Sequence, residues 1–177
     1  MSKLILVKPE ECYIPELISF KDEMSAADDE MHGCSALDEF PDDKISAWIQ
    51  QCKDCEKAET KTKEEWVTAE QFLLVHENEL RVLGMFNFRH ELNDFLEKIG
   101  GHIGYCVRPS ERRKGYAKEM LFLGLEKCRE YGLKSVLITC TDSNIGSRKT
   151  IEACGGVFEG HTHIDDDEDA RRYWVNL

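Results

Sequence analysis

Arg112-Arg113-Lys114-Gly115-Tyr116-Ala117 is the stretch whose residue types and spacing point most directly to chemistry. It follows the apolar run His102–Val107 and Pro109, and it opens a long amphipathic segment. A strand-to-helix junction of this kind offers unpaired backbone N–H groups and the positive end of a helix dipole, which together suit an anion. Gly115 lets the main chain approach a bulky anionic group, and the small residue Ala117 does not block it. Three consecutive cations in a strongly acidic chain add a local inversion of charge. The segment is neither a Gly-x-x-x-x-Gly-Lys-Ser/Thr loop nor a Gly-x-Gly-x-x-Gly fingerprint.

Proton transfer and thiol chemistry have fewer candidates. His102 lies on the run before the basic segment, and an imidazole titrates close to working pH, so it suits a base acting directly or through water. By strand alternation it shares a face with Gly104 and Cys106, while Ile103, Tyr105 and Val107 take the other. His90 and Glu91 end the preceding apolar run and are placed to bind substrate or assist. Cys106 as a covalent nucleophile would need a paired His–Asp arrangement, and none is readable. Cys52-x-x-Cys55 with His32 and Cys34 would make a four-ligand zinc set, but the pair sits in a helical stretch that favours packing, and no metal is expected.

The elements that must position these residues follow from periodicity. Leu4–Lys8 is a strand, and Pro9 turns the chain into a helix around Pro15–Met24. Ser25–Pro41 is irregular, with one helical turn. Asp42 or Asp43 caps a helix reaching about Lys57, with Ile45, Trp48, Ile49 and Cys52 on one face. Glu56–Glu65 is a charged connection. Phe72–His76 and Arg81–Arg89 form a hairpin around Glu77-Asn78-Glu79, and Glu91–Ile99 makes a short helix ended by Gly100-Gly101. His102–Val107 is the next strand, closed by Pro109. Gly115–Tyr131 is a helix carrying Ala117, Met120, Leu121, Leu125 and Cys128 inward, with Gly132 as its stop. Ser135–Cys140 is a buried strand, and Asp142 or Ser143 caps a helix from Asn144 to about Cys154. Val157–Thr162 and Arg171–Val175 close the chain as a hairpin over the acidic run Asp165–Asp169, a solvated loop. This interleaving predicts one α/β (α+β) domain over residues 1–177, a mixed, mostly antiparallel sheet flanked by helices.

Composition narrows the function classes. At 177 residues, 41% apolar and 33% charged, the chain can bury a core without staples. Its 23 basic and 35 acidic residues leave a formal charge of −12, which repels phosphate backbones and argues against nucleic-acid partners. Only four consecutive apolar residues, Leu4–Val7, stand near the start, too few for a secretory leader or membrane span. With no leader, the eight cysteines read as reduced thiols and the setting as cytoplasmic.

Arg112-x-x-Gly115-x-Ala117 resembles the Gln/Arg-x-x-Gly-x-Gly/Ala signature of the GNAT superfamily of N-acetyltransferases. Asn144-x-x-Ser147-x-x-x-Ile151-x-x-x-Gly155 resembles its downstream Asn-x-x-Ala-x-x-x-Tyr-x-x-x-Gly element. Gly101–Tyr105 and Arg89–Asn93 resemble a little-characterised bacterial subgroup, and the strand order is similar to the GNAT fold along almost the whole chain. The resemblance implies acetyl-CoA as co-substrate, a primary amine (small molecule or peptide) as acceptor, and direct attack on the thioester. It implies that backbone amides over Arg112–Ala117, Tyr116 among them, hold the pyrophosphate. It also implies that main chain at Cys106 and Val107 binds the pantetheine arm, that an N–H near Val107 polarises the thioester carbonyl, and that Asn144 approaches the pantetheine or thioester end. Relatives are often homodimers. Many use a tyrosine in the last helix as an acid; Ile151 stands there, which turns attention to His102 and His90. Two other readings compete: a non-catalytic acyl-CoA-binding module of the same fold, and a metal-dependent interaction protein built on Cys52 and Cys55.

Overall fold

The computed structural model describes residues 3–165 and 168–177 and has seven strands in two hydrogen-bonded sheets. In chain order the elements are β1 (Leu4–Val7), α1 (Ile14–Ala26), α2 (Ile45–Asp54), β2 (Ala69–His76), β3 (Gly84–Arg89), α3 (Asp94–Lys98), β4 (Ile103–Val107), α4 (Tyr116–Tyr131), β5 (Ser135–Thr141), α5 (Ile145–Ala153), β6 (Val157–Asp165) and β7 (Glu168–Asn176). The first sheet has the order β1-β2-β3-β4 and the second β5-β7-β6, and every registered pairing is antiparallel. The expected α/β architecture is therefore present, with its sheet in two parts. In the acidic run predicted over Asp165–Asp169, Asp166 and Asp167 lie outside the described residues.

Strand alternation builds a core on each face of the first sheet. Phe72 and Leu74 of β2 face α4 with Phe86, Phe88, Ile103 and Val107, where they meet Met120, Leu121, Leu125 and Cys128. Leu73, Val75, Met85 and Cys106 face the opposite way, onto Leu17, Phe20, Trp48 and Ile49 of α1 and α2. The two helical faces predicted from periodicity are the buried ones, except that Ala117 stays half-buried. Gly124 lets α4 lie directly on β3, because a Cβ there would come within 2.0 Å of the Phe86 ring.

Several boundaries differ from the sequence expectation: α2 ends at Asp54 rather than about Lys57, α3 begins at Asp94 rather than Glu91, β2 begins at Ala69 rather than Phe72, and β6 and β7 run to Asp165 and from Glu168, into the segment expected as a loop. The α2 helix is entered through a 3-10 turn over Asp42–Lys44 and has no side-chain cap, so neither Asp42 nor Asp43 acts as one. Asn144, rather than Asp142 or Ser143, caps α5, its Oδ1 accepting from Ser147 N–H at 2.9 Å. The β3 ladder begins at Gly84 because Val82 is diverted: its N–H donates to Glu16 Oε2 at 3.2 Å, and its carbonyl accepts from Arg108 Nε at 2.8 Å.

That diversion belongs to a buried network. Arg108, 1% exposed, also meets Glu16 at 3.0 Å, Glu23 at 3.2 Å and Ser19 Oγ at 3.1 Å, and lies over the Phe20 ring. Glu23 accepts a further bond from Ser110 N–H at 2.6 Å. The network fixes α1 to the end of β4, where the basic segment starts. Removing one partner from a buried ion network leaves charge without compensation and costs about 3–5 kcal/mol. Arg108→Ala is expected to lower unfolding free energy by about 3 kcal/mol in denaturant titration; a loss under about 1 kcal/mol would deny the network that role.

Candidate active site

The two sheets meet at one place. His102 N–H donates to Leu137 O at 2.8 Å, and Leu137 N–H donates to His102 Nδ1 at 2.9 Å, so the imidazole stands in for a missing strand partner. Gly101 permits this approach: it has φ +59°, and a Cβ there would lie 2.3 Å from Leu137 O. Gly100 N–H adds a bond to Thr139 Oγ1 at 2.8 Å. Beyond this junction β4 and β5 share no ladder, and a cavity of about 650 Å³ opens between them.

Ile103–Val107 of β4 line one wall and Thr139–Thr141 of β5 the other, with Asn144, Ser147 and Thr150 from the α5 segment. One end is formed by Arg112, Arg113, Gly115, Tyr116, Ala117 and Lys118. There the N–H groups of Arg113 through Ala117 have no acceptor among the described residues. Positive φ at Arg113 (64°) and Gly115 (88°) curls this run into a nest at the start of α4. A Cβ on Gly115 would meet nothing within 4 Å, so the amides face open space.

The basic side chains divide their work. Arg112 folds back, its guanidinium pairing with Asp29 and donating from Nε to Val107 O at 3.0 Å. Lys114 bonds Glu111 at 2.7 Å and does not line the cavity. Arg113 and Lys118 line it without a carboxylate partner among the described residues. Tyr116 fixes the helix start through its hydroxyl, 3.2 Å from His76 Nε2. Lys118 is a residue the sequence reading passed over, although it stands one position past Ala117.

Of the residues expected from sequence, Cys106, Val107, Arg112, Arg113, Gly115, Tyr116, Ala117 and Asn144 come together around the cavity, and Lys114, His102 and His90 do not. His102 is 8% exposed, and its Nδ1 is taken by Leu137. Burial, together with the neighbouring Arg89 charge, holds its pKa below the ordinary value. A base must reach the substrate proton, and this ring instead closes the strand junction. His90 bonds Thr68 Oγ1 at 3.1 Å and Glu70 Oε1 at 3.2 Å, and stacks on Tyr131 at 4.2 Å. Hydrogen bonds from His90 and Lys8 draw Glu70 down to about 2 despite burial.

The groups that do reach the cavity were less visible in sequence. Tyr105 places its hydroxyl 2.8 Å from Ser147 Oγ, and burial raises its pKa well above the ordinary phenol value. His32 lines the wall beneath α1, its Nε2 3.1 Å from Glu30. Its loop is pinned to the sheet by Gln71 Nε2 donating to Gly33 O at 2.9 Å and by Ser35 Oγ bonding Gln71 Oε1 at 2.7 Å. Cys106 lines the cavity as a neutral thiol whose pKa burial raises far above the ordinary value. Cys34 and Cys52 pack in the core under α2, and burial pushes Cys34 up to about 12. Among the described residues no group of three or more His, Cys, Asp or Glu is arranged to hold a metal ion, and no helix is long and apolar enough to cross a membrane.

The family model for the acetyltransferase (GNAT) domain matches residues 3–157, and the chain belongs to that family. No curated protein matches in sequence. Among solved structures, the ribosomal-protein acetyltransferase RimL in complex with coenzyme A is 16% identical over 100% of this chain and 96% of that one, with a TM-score of 0.71. The microcin C7 self-immunity acetyltransferase MccE, in complex with acetyl-CoA and AMP, is 17% identical over 99% of this chain and 93% of that one, at 0.69. A spermidine N-acetyltransferase SpeG chimera from Vibrio cholerae is 17% identical over 99% and 96%, at 0.66. These likenesses concern the fold.

His102→Ala removes the acceptor for a buried N–H and is expected to cost about 1–3 kcal/mol, whereas His102→Asn, whose amide oxygen can accept, is expected to keep most of the stability. The folded-state pKa is depressed, so the unfolded chain binds the extra proton first. Wild-type stability therefore falls as pH drops below the ordinary histidine value of 6.5, and this part of the slope disappears in His102→Asn. Urea titrations between pH 8 and about 5 read both effects; an unchanged slope in His102→Asn counts against the junction.

Proposed function

We propose that this chain, as one domain over residues 1–177, transfers the acetyl group of acetyl-CoA to a primary amine by direct attack. The observation that carries the reading is the run of five unpaired amides at the start of α4, with Arg113 and Lys118 beside it. A diphosphate accepts several N–H bonds at once, and a helix N-terminus favours its charge. The parted walls of β4 and β5 suit the extended amide-bearing arm that joins the diphosphate to the thioester. The RimL and MccE structures, which hold coenzyme A and acetyl-CoA, support the same assignment by fold.

Acetyl-CoA supplies a thioester carbonyl open to attack by a neutral amine. The chain's own groups must then remove a proton from the amine, hold charge on the carbonyl oxygen and protonate the departing thiolate. Main chain at Cys106 and Val107 binds the arm, and an N–H near Val107 is the expected donor to the carbonyl oxygen. Asn144 is already committed through Oδ1 to the α5 cap, which leaves its amide nitrogen for the ligand. His32, oriented by Glu30, is the imidazole that faces the cavity and takes the role expected of His102 and His90. Tyr105 is the proton donor: a buried phenol stays protonated at neutral pH, and Ser147 fixes its direction. It stands in for the tyrosine that Ile151 replaces. Eight free thiols and the acidic charge support a cytoplasmic setting. No observation favours the reading as a non-catalytic binding module; its signature would be coenzyme A binding without turnover of any amine.

Gly115→Leu fills the open side of the nest, where nothing else is displaced. Each charged hydrogen bond lost is worth about 1.5–3 kcal/mol, so calorimetry should show coenzyme A binding weakened by about tenfold to a hundredfold or more. The fold should survive, at a cost of about 1–2 kcal/mol for a side chain at positive φ. Unchanged affinity would remove the cradle. Tyr105→Phe keeps the ring and deletes the proton; kcat is expected to fall by about 100-fold at nearly constant KM for acetyl-CoA. A kcat within about threefold of wild type would assign the proton to another group.

A further inference from the structure

The cavity contains one cation that the transfer reaction above does not use. Arg89 ends β3 and, by alternation, points to the same face as Met85 and Asn87, under the loop that carries His32 and Gly33. Its Nη1 donates to Gly100 O at 2.8 Å and to Gly101 O at 3.1 Å. Nη2 and Nε have no acceptor among the described residues, and neither is sealed from the cavity. Among the described residues no carboxylate pairs with the group. Desolvation draws its pKa down to about 10, and no counter-ion among the described residues offsets the cost of burying the charge.

Surface arginines escape this cost by reaching water, and buried ones are normally paired. Arg108, in the same protein, has two carboxylates and a carbonyl. The contrast is informative because both side chains hold loops in place, yet only Arg89 opens onto the cavity. Gly104 keeps its approach clear: a Cβ at 104 would lie 3.1 Å from Nη2. Ile99, Gly100, Gly104 and Thr139 surround this end, beside the strand junction and remote in sequence from the amide nest.

Building on the acetyl-transfer reading, we infer that Arg89 binds a carboxylate carried by the acceptor, so that the acceptors are amino acids rather than simple polyamines. A guanidinium presents parallel N–H groups that match a carboxylate edge to edge, a geometry an ammonium cannot supply. The acceptor would lay its carboxylate on Nη2 and Nε and turn its amine toward the thioester. In the reaction the amine nitrogen forms the new bond to the acetyl carbon, the carbon–sulfur bond breaks, one amine proton goes to the base, and the thiolate takes one from the acid. The carboxylate is unchanged throughout.

The test uses the full-length protein, acetyl-CoA and matched acceptors: α- and ω-amino acids, the amide of each, the corresponding simple amine, spermidine, and short peptides with free or amidated C-termini. Thiol release is followed for each, and coenzyme A binding is measured separately by calorimetry. The acids are expected to exceed their amides by about 30-fold or more in kcat/KM. Arg89→Lys should raise KM for the acids by about tenfold, and Arg89→Met should abolish the acid–amide difference while leaving coenzyme A affinity unchanged. Equal rates for acids and amides, turnover confined to spermidine, or no acid turned over by a protein that binds coenzyme A would each overturn the carboxylate assignment and leave the cofactor site standing. Loss of coenzyme A binding in the wild-type protein would instead end the acetyl-transfer reading itself. Preference for peptides with a free C-terminus over free amino acids would retain Arg89 as the carboxylate site but overturn the assignment to amino acids. The acid–amide comparison in wild type needs no variant, so it stands even if Arg89→Met loosens the Gly100–Gly101 turn.

Discussion

The structure depends on one point of backbone hydrogen bonding, among the described residues, between two sheets that share a core. Where β4 and β5 would pair along their length, they are joined only by the two Leu137–His102 bonds, with Gly100 bonded to Thr139 beside them. A sheet that parts leaves main-chain donors and acceptors without partners, which is costly in an interior unless something else takes them. The same parting that is unfavourable for the free chain creates walls of oriented backbone groups. The junction confines that cost to one cavity.

Charge is arranged around the opening in a consistent way. The segment Arg108–Lys114 carries four cations, and three of them are spent on structure: Arg108 on Glu16 and Glu23, Arg112 on Asp29, Lys114 on Glu111. Their carboxylates hold the turn rigid and are themselves neutralised near a site for an anion. At this end of the cavity, what remains uncompensated among the described residues is Arg113, Lys118 and the amide nest. The positive potential is therefore narrower than the sequence suggests and is set more by main chain than by side chains. In a protein of formal charge −12 that focus also limits which anions are attracted.

Much of this was readable in the sequence, and the part that was not has a physical pattern. Period-2 and period-3.6 signals placed β2, β3, α2 and α4 because each buries a continuous face. The Gly115–Ala117 spacing pointed to a run of unpaired amides at the start of α4, because backbone conformation there is imposed by the glycine. Boundaries failed where a side chain from a distant element intervened, as when Glu16 and Arg108 took the backbone groups of Val82. The placement of His102 was hidden for a related reason: nothing local says that its Nδ1 will accept a bond from Leu137, 35 residues later. Arg89 and His32 come to one cavity only through the folding of the loop over residues 27–36 onto the sheet, which periodicity does not describe.

At position 151, packing sets what side chain the last helix can carry. Ile151 is fully buried, and its carbonyl accepts from Gly156 N–H at 2.9 Å. A Cβ on Gly156 would come within 2.4 Å of its side chain. The site is packed too closely for a phenol to be added without displacing the turn after α5. One turn earlier on that helix, Ser147 faces Tyr105 across the gap between α5 and β4. A phenol on the strand, at Tyr105, borders the same cavity that this part of α5 lines.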